Sequence, residues 1–216
     1  MLFYQLRTMP KSILIWIIFI SLTIDALAAF NAYIKYNAPS QNLPKVLLAG
    51  FEPFDGRDEN ASWEAIESWK NRRHDGLSYR TLKLPVDYEK STTLLEKALG
   101  DWQPNVILLF SEHPTTETIR IETTARGDDG TKLGTRLPSE KLKEAYGKAG
   151  INAVLSNHAG NFVSNYTFYY LINYLENEKH NAVIAGEIHL PLVNQYGFSK
   201  QVLGDVVAIT VKVLLN

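Results

Sequence analysis

Short, unbroken apolar runs separated by helical periodicity constrain this chain more than any other feature. Lys45–Gly50 (KVLLAG) and Asn105–Phe110 (NVILLF) lack polar alternation, which is the pattern of strands buried on both faces. Ile151–Leu155 is a short apolar strand and Ala182–Ile188 a further strand, while Tyr79–Val86 alternates. Ile119–Thr124 (IRIETT) alternates at a period of two and reads as an edge or hairpin strand. Val206–Leu215 reads as a last, less regular strand. Helical segments lie between these runs. Glu59–Lys70 keeps Trp63, Ile66 and Trp69 in step, and Asp87 is placed to cap a helix over Tyr88–Leu99. Pro138, Ser139 and Glu140 open a helix to about Lys148, and another runs from Ser164 to Tyr174. Asp128–Arg136 is expected to be a loop. This alternation with short connections specifies a single three-layer α/β/α domain with a mostly parallel central sheet. At 216 residues the chain supports one core.

A hydrophobic N-terminal leader precedes that domain. Arg7 and Lys11 stand before the greasy run Ile13–Ile24, and Ala26-Leu27-Ala28 has the small-x-small form of a signal-peptidase site. Residues 1–28 are therefore expected to be a signal peptide or membrane anchor, 29–43 a flexible linker, and 44–216 the folded domain. Both readings of the leader put the domain outside the cytoplasm, secreted or periplasmic in one case and membrane-anchored in the other. With 22 basic and 23 acidic residues the charge is nearly balanced, so no phosphate-binding surface and no nucleic-acid partner are expected. The chain has no cysteine, which excludes disulfides, thiolate metal sites and thiol nucleophiles together.

In sheets of this class ligands collect beyond the carboxyl ends of the strands. The polar and aromatic residues are concentrated in four such segments: Phe51–Gly56, Ser111–Thr118, Ser156–Ser164 and His189–Asn194. Ser164 at a helix start becomes an acyl-transfer nucleophile if a base takes its proton, and His189 is the best-placed base. Glu122, Glu112 and Glu187 are the candidates to orient that imidazole. A serine at a helix start equally serves as a cap, and a histidine before Leu190-Pro191 equally serves a loop. His113, His158 and His189 lack the spacing of a metal site, so no metal is expected.

Three separated motifs carry a family resemblance. LLAGFEPFDGRDENASWEAI, with GFEPFDG at Gly50–Gly56, resembles the opening of the pyroglutamyl-peptidase I family (pyrrolidone carboxyl peptidases), whose strand-one signature is close to GFEPFGG followed by N-x-SW-x-A. Lys148–Tyr169 is similar to the family's nucleophile region, and EIHLP is similar to its histidine segment. The resemblance implies a Cys-His-Glu peptidase that removes an N-terminal pyroglutamate and uses no cofactor. It places the nucleophile position on Ser164, the base on His189 and the carboxylate on Glu122, with Glu117 as the competing register. It also places Phe51 and Phe54 on the phenylalanines that sandwich the lactam ring, and Lys132-Leu133 on a pair beside the pocket. Glu112 falls where the ring is recognised. The partner implied is a peptide or other small lactam-bearing ligand, with homo-oligomers common in the family.

The chain departs from the pattern where the chemistry lies. The family's cysteine is Ser164, its glycine-rich turn is Ser111-Glu112-His113-Pro114-Thr115, and FGG is FDG with Asp55. A segment that family members use beside the pocket is missing between Leu133 and Leu137. Two functions are expected from these residues: a hydrolase using a Ser-His-Glu variant of the triad, or a catalytically inactive member that binds a small ligand or a peptide end.

Overall fold

The computed structural model of the protein describes residues 43–216 apart from residue 75. The leader read at residues 1–28, and all but the last residue of the linker that follows it, lie outside the described residues. Strand β1 (Lys45–Phe51) leads into helix α1 (Ala61–Lys70), β2 (Ser78–Leu84), α2 (Tyr88–Trp102) and β3 (Val106–Glu112). Three short strands follow, β4 (Ile119–Glu122), β5 (Thr124–Arg126) and β6 (Lys132–Gly134), and then α3 (Ser139–Lys148) and β7 (Ala153–Ser156). The chain closes with α4 (Val163–Asn177), β8 (Ile184–Leu190) and α5 (Lys200–Leu215).

Six strands form the central sheet in the order β2-β1-β3-β8-β4-β7. All pairings are parallel except β4 with β8, so β4 and β7 run against the other four. The layers follow from side-chain alternation. Val46, Leu48, Val106, Leu108 and Ile188 pack on one face beneath Ile66, Trp69, Tyr146 and Val207 of α1, α3 and α5. Leu47, Ala49, Leu109 and Ala185 pack on the other beneath Leu95, Phe168 and Leu171 of α2 and α4. Three layers around a mostly parallel sheet match the expectation. Among the described residues, no helix is long and apolar enough to cross a membrane.

Three expectations need correction. Val206–Leu215 is not a strand but most of α5. Its valines suggest β structure, yet Leu203, Val206, Val207, Thr210 and Val211 make one buried helical stripe, and the Ser199 hydroxyl caps the first turn by accepting from Val202 N. IRIETT is not an edge strand, because β4 lies between β8 and β7, and only its last residue, Thr124, belongs to a hairpin, as the start of β5. The expected loop at Asp128–Arg136 contains β6, which pairs with β5 as a small antiparallel hairpin. Asp87 does cap its helix, its carboxylate accepting from Lys90 N at 2.9 Å.

Candidate active site

The site lies on the α2/α4 side of the sheet. Its first wall is the loop after β1. Ser62, in the first turn of α1, holds this loop: its hydroxyl accepts from Phe51 N at 2.9 Å and donates to Asn60 Oδ1 at 2.7 Å. Asn60 caps α1 by accepting from Ser62 N and ties back to the loop through Nδ2 to Glu52 O at 3.0 Å. The loop turns at Asp55 and Gly56, both with positive φ. Gly50 lets the helix come close, since a Cβ there would meet the Ser62 backbone at 3.0 Å. Asn60 and Ser62 of the N-x-S motif therefore hold Phe51 and the start of the loop that carries Phe54.

Those two rings line a cavity of about 210 Å³ together with Ser111, Glu112, Phe162 and Ser164. That is below the range usual for drug-sized ligands and suits a small ring. The Glu112 side chain is buried and forms an ion pair with Arg57, whose guanidinium also lies 4.4 Å from the centre of the Phe54 ring. Glu112 Oε2 accepts from Ala61 N at 2.8 Å, at the start of α1, where the helix favours an anion. Lys132 and Leu133 sit on the β5–β6 hairpin and are not among the cavity-lining residues.

Ser164 is the second residue of α4 and half-buried. It is not the cap: that position is Phe162, without a side-chain hydrogen bond. Because β7 runs against β3 and β8, Ser156–Ser164 does not leave the sheet at the shared carboxyl edge. It reaches the cavity through the turn into α4, where Gly160 takes a positive φ and donates to His158 Nδ1 at 3.1 Å. His158 thus belongs to the turn.

His189 is 2% exposed and stands opposite the cavity residue Ser111 across β3 and β8, but is not itself among the cavity-lining residues. Its Nδ1 stands 3.0 Å from Glu122 Oε1, off the straight N–H direction, so the contact is chiefly one of charge. Glu122 is also held by Arg120, whose Nε lies 3.2 Å away and whose Nη2 donates to Ser156 Oγ at 2.6 Å. Glu117 is exposed and lines a different hollow, so the structure brings Glu122 and not Glu117 to the ring. On the other side, His189 Nε2 stands 3.4 Å from Glu187 Oε1. That oxygen accepts from Ser111 Oγ at 2.7 Å. Among the described residues, the Ser164 hydroxyl makes no hydrogen bond to His189.

Electrostatics favour an imidazolium. Burial disfavours the charged ring, but the charge of Glu187 and the contacts with Glu122 outweigh it and push the His189 pKa up to about 9. Burial likewise opposes ionisation of Glu122, yet His189, Ser156 and Arg120 hold its carboxyl below the usual range. His113, its ring centre 5.4 Å from that of His189, is pushed down by burial and then by the charges of His189 and Arg120. No cluster of His, Cys, Asp and Glu suited to a metal ion occurs among the described residues.

The sequence model described as pyroglutamyl peptidase matches residues 44–134 and 127–215. The chain belongs to the pyroglutamyl peptidase family. A pyrrolidone-carboxylate peptidase of Bacillus licheniformis is 29% identical over 177 residues, 72% of this chain and 82% of that one. One of Brachyspira hyodysenteriae is 30% identical over 172 residues, covering 70% and 85%. Pyroglutamyl peptidase I of Bacillus amyloliquefaciens has a crystal structure with a TM-score of 0.72 at 26% identity, covering 80% of this chain and 98% of that one. Membership in the pyroglutamyl peptidase family agrees with the resemblance carried by GFEPFDG, Lys148–Tyr169 and EIHLP.

Arg120 and Ser111 escaped the sequence reading as contributors to the site, and Glu187 was only one of three candidate carboxylates. Strand periodicity held the signal for two of them. Residues two apart share a face, so Glu187 must accompany His189, and Arg120 must accompany Glu122.

Proposed function

We propose that the protein hydrolyses peptides bearing an N-terminal pyroglutamyl residue, with Ser164, His189 and Glu122 as its catalytic group. The observation that carries this reading is the Glu122–His189 contact of 3.0 Å, set beside a ring-sized cavity lined by Phe51, Phe54 and Ser164. The names of the relatives support the substrate class. Phe51 and Phe54 flank the lactam, and Ser164 Oγ attacks the pyroglutamyl carbonyl carbon. As the Oγ–C bond forms, the hydroxyl proton passes to His189 Nε2. The C–N bond then breaks, and the same proton goes to the leaving amine. Water, deprotonated in turn by His189, hydrolyses the ester and restores Ser164. Glu122 holds the ring and stabilises its charged form. Amides in the first turn of α4 lie next to Ser164 and are suited to the developing oxyanion.

The test is covalent labelling. A fluorophosphonate should attach to Ser164 in the folded protein at a pH where His189 is neutral, and Ser164→Ala should abolish the adduct. Labelling that persists in Ser164→Ala would refute the assignment.

A second reading, an inactive member that binds a pyroglutamyl peptide end, is favoured by one observation: the Ser164 hydroxyl is not bonded to His189, while the Nε2 edge faces Glu187. Calorimetry with a pyroglutamyl peptide distinguishes the two, because this reading predicts binding without amine release. In the proposal the domain works outside the cytoplasm, after the leader at residues 1–28 has directed export. N-terminal sequencing of the mature protein, together with fractionation of cells, tests that placement.

A further inference from the structure

We infer that Glu187 is a positioning residue that occupies the Nε2 edge of His189, the edge from which Ser164 must be served, and so decides whether that ring can act as a base. The inference deepens the hydrolase reading and rests on it for its catalytic consequence. Its geometric basis stands alone. Glu122 and Glu187 are both 0% exposed, His189 is 2% exposed, and one carboxylate oxygen lies within 3.4 Å of each ring nitrogen.

Charge accounting gives the reason for the arrangement. Glu187 Oε1 receives the Ser111 hydroxyl, but Oε2 has no hydrogen-bond partner among the described residues. A buried carboxylate so poorly served by donors needs a cation nearby. Arg120 is directed to Glu122, Ser156 and the His158 carbonyl, which leaves the His189 ring as the cation beside Glu187. With His189 neutral, two carboxylates and one guanidinium leave a net negative charge in the sheet. With His189 protonated the cluster balances. The other titratable groups facing the site do not change this count: Glu112 is paired with Arg57, and His113 is disfavoured as a cation by burial and by His189 itself.

A protonated Nε2 cannot accept the Ser164 proton. A thiol nucleophile tolerates an imidazolium neighbour, because the thiolate forms in the ground state, whereas a serine needs the neutral ring. Glu187 therefore suppresses the serine reaction at neutral pH and moves it to alkaline conditions.

The experiment follows the histidine ring signals of the full chain by NMR from about pH 5 to 10, with His189 assigned by its loss in His189→Asn. Hydrolysis of a pyroglutamyl anilide is measured over the same range. The wild type should titrate near the alkaline value given above, and Glu187→Gln should lower that midpoint by at least about one unit and raise hydrolysis at pH 7 about tenfold. Ser111→Ala removes the hydroxyl bonded to Glu187 and should move the midpoint upward, which gives an independent variant if Glu187→Gln folds poorly. A wild-type midpoint near the ordinary histidine value, or one unmoved by Glu187→Gln, overturns the role of Glu187. A moved midpoint without hydrolysis at any pH upholds that role and removes the hydrolase reading. Hydrolysis with one unchanged pH profile in both proteins does the reverse.

Discussion

Glu122 and Glu187 are direct partners across the antiparallel β4–β8 pair, and their carboxylates close on the His189 ring from opposite nitrogens. Like charges opposite each other weaken a sheet unless a cation lies between them. Here the ring of His189 and the guanidinium of Arg120 supply that charge, so the stability of β4 in the sheet and the protonation of the candidate base are one property.

Folding stability should therefore fall in alkali. His189 has a folded-state pKa raised to about 9, above its ordinary value. A raised pKa contributes stability that is full below about pH 6.5 and is lost as pH rises through about 9, amounting to about 3 kcal/mol. Glu122 has the opposite sign: its lowered pKa supplies stability that is lost as pH falls into the acid range. Urea unfolding at pH 6 and above pH 9 checks the alkaline limb, which should shrink by at least about 1.4 kcal/mol in Glu187→Gln, the equivalent of one pH unit.

Glu122→Gln should cost about 3 to 5 kcal/mol, the range for breaking a buried ion pair from one side. It deprives both His189 and Arg120 of their shared anion. Glu117→Gln, on an exposed side chain, should stay within about 0.5 kcal/mol. Parallel urea titrations of the two variants separate the competing carboxylates without reference to activity.

The paired phenylalanines should separate fold from recognition. Phe51 is 3% exposed and belongs to the core beneath α4, so Phe51→Ala should destabilise by about 3 kcal/mol or more. Phe54 is only half-buried and stacks with Arg57. Phe54→Ala should leave the melting temperature nearly unchanged while weakening the affinity for a pyroglutamyl peptide about tenfold. Calorimetric unfolding together with calorimetric titration reads both quantities.

Gly50→Ala should lose about 1 to 3 kcal/mol, because the added methyl meets the Ser62 backbone and the end of Ile66 at 3.0 Å. The movement would carry Asn60 and Ser62 with it, so pocket affinity should fall together with stability. Urea unfolding of the variant checks the first effect, and titration with the peptide checks the second.

Much of this arrangement was legible in the residues. The apolar runs located β1, β3 and β8, Asp87 marked the start of α2, and the motifs singled out Phe51, Phe54 and Ser164, which line one cavity, and His189 and Glu122, which meet each other. What escaped depended on contacts distant in sequence. Val206–Leu215 favours strand by composition, and only packing of α5 against α1 and α3 makes its buried stripe pay off as a helix. The reversed direction of β4 follows from its pairing beside β8, which no local pattern encodes. Lys132 and Leu133 stay off the cavity lining because they are held in β6, paired with β5 in the small hairpin. That the second carboxylate sits against Nε2 required the register Ser111–His189 and Glu122–Glu187 together.

The most direct test is amine release from a pyroglutamyl anilide by the folded protein as a function of pH, with Ser164→Ala and Ser164→Cys measured alongside. Turnover in the wild type should rise from neutral pH toward about pH 9 and vanish in Ser164→Ala. Ser164→Cys should already be active near pH 7, where a thiolate and an imidazolium coexist. Wild-type turnover that survives Ser164→Ala, or a folded wild type that releases no amine anywhere up to about pH 10, would contradict the account.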